Sequence, residues 1–299
     1  MRAESLAAAV LSNATGAAER AAARAGVVVR SLTEMADLVE ACRLCETMWG
    51  FAPEDRPLAP NLLRALSKSD GYVAGAFDGA EMVGVGVGFH AAPARLLLHS
   101  HITGVVDRMR GRSVGFALKT HQRAWALRNG VETIGWTFDP LVRRNAYFNI
   151  VKLGAIPVEY LPDFYGPMSD AVNAGDATDR LLVRWRLRAP EVAAACDGRP
   201  TGIGAATAAT AARDNYPAPK PVVALGISAD GGPVTGSVDG RTVLVAVPRD
   251  ITGLRAADPA VARSWRAAVR AVMTELLNDG ARITGFDRDG GYLLTKENE

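Results

Sequence analysis

Val105-Val-Asp-Arg-Met-Arg-Gly-Arg-Ser-Val-Gly115, VVDRMRGRSVG, is the stretch on which the fold of this chain turns. An apolar run, Leu96–Ile102, leads into it, and a segment of helical periodicity leaves it and continues to Arg128. Its core, Arg110-Gly111-Arg112-Ser113-Val114-Gly115, has the make-up of a pyrophosphate cradle. Small residues let backbone N–H groups approach a ligand, the helix that starts there adds the positive end of its dipole, and two arginines add countercharge. Ser113 suits such a turn if the backbone there does not need positive φ, and its hydroxyl can then cap the helix or donate to a phosphate. The same six residues also make an ordinary strand–helix connection, so the flanking elements have to decide.

Upstream, Val27–Arg30 reads as a short strand. Asp37–Trp49 carries apolar residues at Leu38, Ala41, Cys42, Cys45, Met48 and Trp49, a helical period, stopped by Gly50 and Pro53. A second helical segment spans Pro60–Leu66. Gly71–Phe77 and Met82–His90 alternate as strands around the Asp78-Gly79 turn signal. Gly84, Gly86 and Gly88 leave one face of the second strand bare, which admits close approach by a neighbouring element or a ligand. Leu96–Val106 is the strand entering the loop. Beyond the loop, Val114, Leu118, His121 and Trp125 share one helix face, with Lys119 and Arg123 outside it. Val131–Phe138 is a further strand ended by Asp139-Pro140, Leu141–Leu153 a helix closed by Gly154, and Ala155–Tyr160 and Leu181–Leu187 are extended.

This order, α–β–β–β–α–β–α–β over residues 27–188, together with the loop, resembles the GNAT superfamily of N-acyltransferases. The family's loop pattern is Arg or Gln, two residues, Gly, one residue, then Gly or Ala. Arg110 and Gly115 fit it, and Ser113 stands at the central glycine. A second likeness lies in Arg144-Asn-Ala-Tyr-Phe-Asn-Ile-Val-Lys-Leu-Gly-Ala155: aligned on Lys152 and Gly154, Ala146 matches, while Ile150 occupies the usual tyrosine position and Arg143 the usual asparagine position, with Asn145 two residues on. The resemblance implies a mixed αβ (α+β) fold whose central mixed sheet splays around an acyl-CoA. It also implies a cosubstrate site of Val105, Val106, Arg110, Gly111, Arg112, Ser113, Val114, Gly115 and Asn145, with acetyl-CoA or another acyl-CoA as cosubstrate and no metal.

Residues 1–26 form an Ala-rich helix, high in propensity but with little surface to bury. Residues 189–221, rich in Ala, Gly, Thr and Pro, read as a linker. Residues 222–299 read as a small C-terminal ββαββ unit, whose helix starts at Asp258-Pro259 and carries the stripe Val261, Trp265, Val269, Val272, Leu276. HSHITGV, WTFDPL, YFNIVKLGA, FYG and ITGFDRDGGYLL place the chain near a subgroup of GNAT-type sequences with such an extension. A stripe of that length has to bury against something, either the preceding domain or a second subunit in a homodimer.

At 299 residues and net charge +2, the chain lacks the basic excess of a nucleic-acid-binding protein. Its three cysteines include Cys42-Arg-Leu-Cys45, half of a zinc pattern with no second half, which fits buried small hydrophobes on one helix face. Sparse cysteines and the lack of a membrane-length apolar run lead us to expect a soluble, cytoplasmic protein.

Acyl transfer to an amine needs a base, oxyanion donors and an acid for the leaving thiolate. Four histidines are available, His90, His99, His101 and His121. His99 and His101 sit two apart on the strand entering the loop and are expected to share a face with Thr103, either as acid–base groups or as hydrogen-bonded core. His121 lies on the apolar stripe and reads as structural. With Ile150 at the usual acid position, Tyr147, Tyr160 and Tyr165 are the substitutes. Asp139 either orients an acceptor ammonium or caps a turn, and Arg263, Arg266 and Arg270 form either a solvated basic stripe or a reader of anionic acceptors. The expected function is transfer of an acetyl, succinyl or other short acyl group to a small amine, an amino acid among the candidates. The alternative is an acyl-CoA-binding regulatory or scaffold protein without catalysis.

Overall fold

The computed structural model describes residues 2–50, 58–93, 96–168, 175–199 and 220–296. In chain order the elements are α1 (Arg2–Ala25), β1 (Val28–Ser31), α2 (Met35–Trp49), α3 (Pro60–Lys68), β2 (Tyr72–Asp78), β3 (Glu81–His90), β4 (Leu98–Val105), α4 (Val114–Arg128) and β5 (Thr133–Phe138). Then come α5 (Arg143–Ala146), running into a π-helical turn (Tyr147–Lys152), and β6 (Ile156–Leu161), β7 (Arg180–Arg186) and α6 (Pro190–Cys196). The chain finishes with β8 (Val222–Ile227), β9 (Pro233–Thr235), β10 (Thr242–Ala246), α7 (Ile251–Ala257), α8 (Pro259–Asn278), β11 (Arg282–Phe286) and β12 (Gly291–Thr295). Seven strands form a mixed sheet in the order β1-β2-β3-β4-β5-β7-β6, and five form a second sheet, β11-β12-β10-β8-β9. The fold is the expected mixed αβ class.

The C-terminal segment is richer than ββαββ. β9 is too short to show alternation, and α7 is announced only by its N-cap, Asp250, which accepts from the Gly253 N–H at 3.1 Å. Asp258 caps α8 as expected, accepting from the Ala260 and Val261 N–H groups. Compactness divides the chain differently from composition. One unit is Met1–Trp136 with Arg186–Asp197, the other Thr137–Trp185 with Gly198–Glu299. The stretch read as linker opens with α6, and its residues 200–219 lie outside the described set.

In the first unit, α4 is buried on all sides, with the sheet on one side and α1 on the other. Helix α1 is firmly docked: Ala14, Ala18, Ala21 and Ala25 recur at helical spacing and pack with Val114, Ala117, Leu118 and Ala124 of α4. Their small side chains bury little surface each but let the two helices meet closely. Lys119 and Arg123, expected outside the apolar face, are therefore 3% and 1% exposed. Arg123 donates to the Leu187 carbonyl at 3.0 Å and to Asn13 Oδ1 at 3.1 Å. On the other sheet face, α2 sends Leu38, Ala41, Cys42 and Cys45 against Val73, Phe77, Val85 and Val87, so both cysteines are core residues.

The second unit buries charge. Asp139 accepts from Arg266 through both oxygens, at 2.9 and 3.0 Å, and from Arg255 at 2.7 Å. Asp176 accepts from the same two arginines at 3.0 and 3.1 Å. Arg270 pairs with Asp179, which also accepts from the Tyr160 hydroxyl at 2.6 Å. The expected solvated stripe Arg263–Arg266–Arg270 is thus split: Arg263 is exposed, Arg266 buried, and Arg270 half-buried and paired. Arg143 ties α5 to the C-terminal segment by donating to the Val247 and Asp289 carbonyls, at 2.6 and 3.1 Å.

Burial pushes the Asp139 carboxyl up, but Arg266 and Arg255 overcome this and hold it below the ordinary carboxylate range. Its contribution is present above the unfolded value, about 3.9, and is lost as pH falls through the lower folded value. Arg266→Ala leaves buried carboxylates underpaired and should destabilise the protein by about 3–5 kcal/mol, and acid unfolding should begin at higher pH. Arg263→Ala should stay within about 0.5 kcal/mol of the parent. Urea denaturation of both variants measures the contrast.

Candidate functional site

Past Val105 the chain makes a short 3₁₀ turn, Asp107–Met109, and enters α4 through Gly111, φ 81°, and Ser113, φ 63°. The backbone at Ser113 therefore does adopt positive φ, so the condition under which serine suits the turn without strain is not met, and its hydroxyl makes no capping hydrogen bond. A non-glycine residue held in this region carries strain of about 1–3 kcal/mol, a cost that clusters at functional sites. Among the described residues, the N–H groups of Gly111, Ser113, Val114 and Gly115 have no backbone acceptor. The Val106 N–H is already bound to the Val83 carbonyl at 3.0 Å, so Val106 belongs to the scaffold. A Cβ on Gly115 would meet only Val105 Cγ2, at 3.9 Å, so nothing in the protein demands glycine there. Arg110 pairs with Asp107 at 2.6 Å and Arg112 with Asp78 at 3.6 Å; all four side chains are exposed, so these are weak pairs open to exchange.

Strand β4 pairs with β3 along its length but with β5 only at Leu98↔Ile134 and His99↔Gly135. Beyond His99 it has no parallel partner among the described residues. At the same point its register against β3 slips, from Val87↔Ile102 to Gly88↔Ser100, so His101 is the extra residue of a β-bulge. The bulge changes the phase of the strand. The His99 and His101 rings lie 6.0 Å apart and both contact Phe89. Thr103, opposite Gly86, lies instead on the α4 face, which corrects the expectation that it accompanies the histidines. His101 is exposed, and partial burial still lowers its pKa.

The α4 face of β4 holds what the sequence reading missed. Lys119 Nζ donates to Ser100 Oγ at 2.8 Å and Gln122 Oε1 at 3.3 Å, and lies 3.8 Å from the centre of the Trp136 ring. Burial lowers its pKa to about 7. Gln122 Nε2 is buried without a hydrogen-bond partner among the described residues. The bare glycine face of β3 serves this packing: Cβ atoms on Gly84, Gly86 and Gly88 would press on Leu118, Tyr72 and Gln122 at 3.1 to 3.4 Å. His121 is structural, as expected, bonded to Tyr72 at 3.0 Å and pushed down to about 4 by burial and Arg128.

The remaining candidates belong to the second unit. Tyr147 is half-buried with Arg288 over its ring at 5.6 Å, and Asn145 is half-buried on α5. The expected helix Leu141–Leu153 is broken into α5 and the π turn, with the Leu153 N–H reaching back to the Phe148 carbonyl at 3.0 Å. That extra residue rotates side chains ahead of Phe148 relative to a regular helix, and such turns recur at functional sites. Ile150 is buried core. Tyr160 is committed to Asp179, and burial with that bond holds its phenol well above its ordinary value. Tyr165 shares a hydrogen bond with Thr137 at 3.1 Å. Asp139, its oxygens spent on Arg255 and Arg266, has no capacity left for an acceptor ammonium. Among the described residues no group of His, Cys, Asp and Glu could hold a metal ion, and no helix is long and apolar enough to cross a membrane.

No protein-family model matches the chain, and no curated protein matches it. Solved structures are similar to it in fold. An acetyltransferase of the GNAT family from Streptococcus pneumoniae is 16% identical and covers 53% of this chain and 97% of its own, with a TM-score of 0.43. The ribosomal-protein-S18-alanine N-acetyltransferase from Escherichia coli is 15% identical over 54% of this chain and 94% of its own, TM-score 0.43. The protein yncA from Salmonella typhimurium, solved with its cofactor acetyl-CoA, is 14% identical over 54% and 94%, TM-score 0.45.

Ser113→Gly relieves the positive-φ strain and should stabilise the protein by roughly 1 kcal/mol in chemical denaturation. Lys119 binds fewer protons folded than unfolded between its folded value of about 7 and its ordinary value of 10.5. Stability should therefore climb with pH across that window and level off below about 7, where folded and unfolded states both hold the proton. Lys119→Met should flatten the climb in denaturation curves taken at several pH values.

Proposed function

We propose that the chain is a GNAT-type N-acyltransferase that moves a short acyl group from acyl-CoA, either acetyl-CoA or a larger one such as succinyl-CoA, to a small amine. The observation that carries this is the sequence of events along β4. The strand loses its parallel partner after His99, bulges at His101, and leads into a turn whose N–H groups at Gly111, Ser113, Val114 and Gly115 are unspent. The turn suits a diphosphate: several N–H donors within five residues are unspent, glycine at 115 leaves room, and Arg110 and Arg112 can exchange surface carboxylates for phosphate.

The chemistry follows from the groups on the strand. An amine acceptor arrives largely as its ammonium, and a neutral histidine is needed to take its proton. Burial keeps the His101 ring deprotonated to lower pH than an ordinary histidine. The acceptor nitrogen then attacks the thioester carbon and the C–N bond forms, the nitrogen's remaining surplus proton passes to water, and the C–S bond breaks with the electron pair leaving on sulfur. The unpaired edge of β4 supplies backbone donors for the oxyanion. Tyr147 remains a second acid–base candidate, on the π-helical turn. A binding protein without turnover is the competing reading, favoured by one observation: Ile150, at the family's usual acid position, is core.

Thiol release across a panel of small amines should show amine-dependent turnover, whereas acyl-CoA binding without turnover on any amine would favour the binding protein. Gly115→Val should abolish acyl-CoA binding by calorimetry while the variant stays folded; unaltered affinity would place the site elsewhere. His101→Ala should lose roughly 10²–10⁴ in turnover with affinity unchanged and the acidic limb of the pH–rate profile flattened.

A further inference from the structure

Lys119 is a lysine with 3% exposure and, among the described residues, no carboxylate partner. Its neighbours are acceptors, Ser100 Oγ and Gln122 Oε1, and the face of Trp136. That set suits a bound proton, yet it leaves Nζ without a countercharge, and packing alone is served as well by an apolar side chain of the same length. Its place in the fold is specific. Ser100 is the first β4 residue past the last β4–β5 pair, and Trp136 is the first β5 residue past it. Lys119 therefore bridges α4 and both strands at the point where they part, one residue from the bulge at His101.

The titratable groups on the elements around it are turned elsewhere. His121 faces Tyr72, Arg123 faces Leu187 and Asn13, and the His99 and His101 rings lie together on the other face of β4. The unspent donor of Gln122 lies in the same buried cluster, a polar group for which no described residue provides a partner.

We infer that Lys119 supplies the proton taken up by the departing CoA thiolate, passed through the Ser100 hydroxyl, in place of the tyrosine that Ile150 replaces. This rests on the acyltransferase reading above. The unpartnered edge of β4 runs five residue steps from Val105, beside the proposed phosphate-binding turn, to Ser100, a span of about 17 Å at ~3.3 Å per step. An extended pantetheine arm laid along that edge as an added strand ends beside Ser100 and His101. The strand then carries a base on one face and an acid on the other. As the C–S bond breaks, Ser100 gives its proton to sulfur and takes one from the Lys119 ammonium. The histidine proton returns to solvent, and Lys119 is reprotonated from solvent before the next turnover.

The test uses the full-length chain and acetyl-CoA. Lys119→Met and Ser100→Ala should each lower turnover about 10²-fold or more, the usual worth of a positioned acid, with acetyl-CoA affinity unchanged by calorimetry. The alkaline limb of the pH–rate profile, where the parent loses its ammonium, should disappear in Lys119→Met. A readout without turnover is the ultraviolet thiolate absorbance of bound free CoA titrated against pH. Stabilised by the nearby ammonium, the bound thiol should ionise at lower pH in the parent than in Lys119→Met. Parental turnover and alkaline limb in both variants, or bound thiol ionisation identical to the parent's, would reduce Lys119 to a strut. Should Lys119→Met not fold, Ser100→Ala, which removes only a hydroxyl, decides alone. A parent that neither binds nor turns over acetyl-CoA overturns the acyltransferase reading and this inference with it, whereas an active parent with unaffected variants overturns this inference only.

Discussion

A strand inside a sheet normally spends its backbone donors and acceptors on both neighbours, and β4 does so for only two residue pairs on its β5 side. The first unit is arranged around that shortfall. The bulge at His101 re-aims the strand where the pairing stops, and β3 must hold the bulged strand alone from then on. Helix α4 closes in beneath, which requires Gly84, Gly86 and Gly88 to carry no side chain. The alanine stripe of α1 then covers the outer side of α4. Removal of any one layer exposes the next, so the edge of β4 stays presented only while all of them hold.

The two units handle buried charge in opposite ways. In the second, Asp139, Asp176 and Asp179 meet Arg255, Arg266 and Arg270 in a network of buried and half-buried guanidinium–carboxylate pairs. Such a cluster ties distant segments together. In the first, Lys119 is buried without a counter-ion among the described residues, and its proton is held by neutral acceptors and a ring face. Burial without compensation is what moves a lysine towards neutrality, and perturbed groups of that kind gather where chemistry is done. The basic character that the sequence displays most openly, along α8, is structural, while the cation of chemical interest is hidden in α4.

Much of the architecture was legible because periodicity reports which face of an element is buried. The alternation of β2 and β3 around Asp78-Gly79, the helical stripe of α8 behind its Asp258 cap, and the strand–turn–helix order around Gly111–Gly115 all follow from local residue spacing and appear where expected. The histidine pair was legible for the same reason, since residues two apart on a strand share a face and the bulge at His101 preserves their contact. Short elements such as β9 and α7 escaped because three to seven residues carry too little period to read.

What the sequence by itself determined is the order of elements, the class of fold, and the small-residue turn entering α4. Only the tertiary structure decided the rest. Ser113 adopts positive φ because β4 and α4 are both anchored by packing, and the turn has to span what lies between them. Thr103 changes face because the bulge at His101 shifts the phase of the strand, and the local alternation of β4 does not record it. Lys119, Arg123 and Arg266 lie on helix faces that read as solvated until a second layer covers them: α1 and the sheet for the first two, the β5–β7 segment for the third. A helical pattern marks its apolar face but carries no record of what packs on its polar one, and the burial of a charge is decided by that second contact.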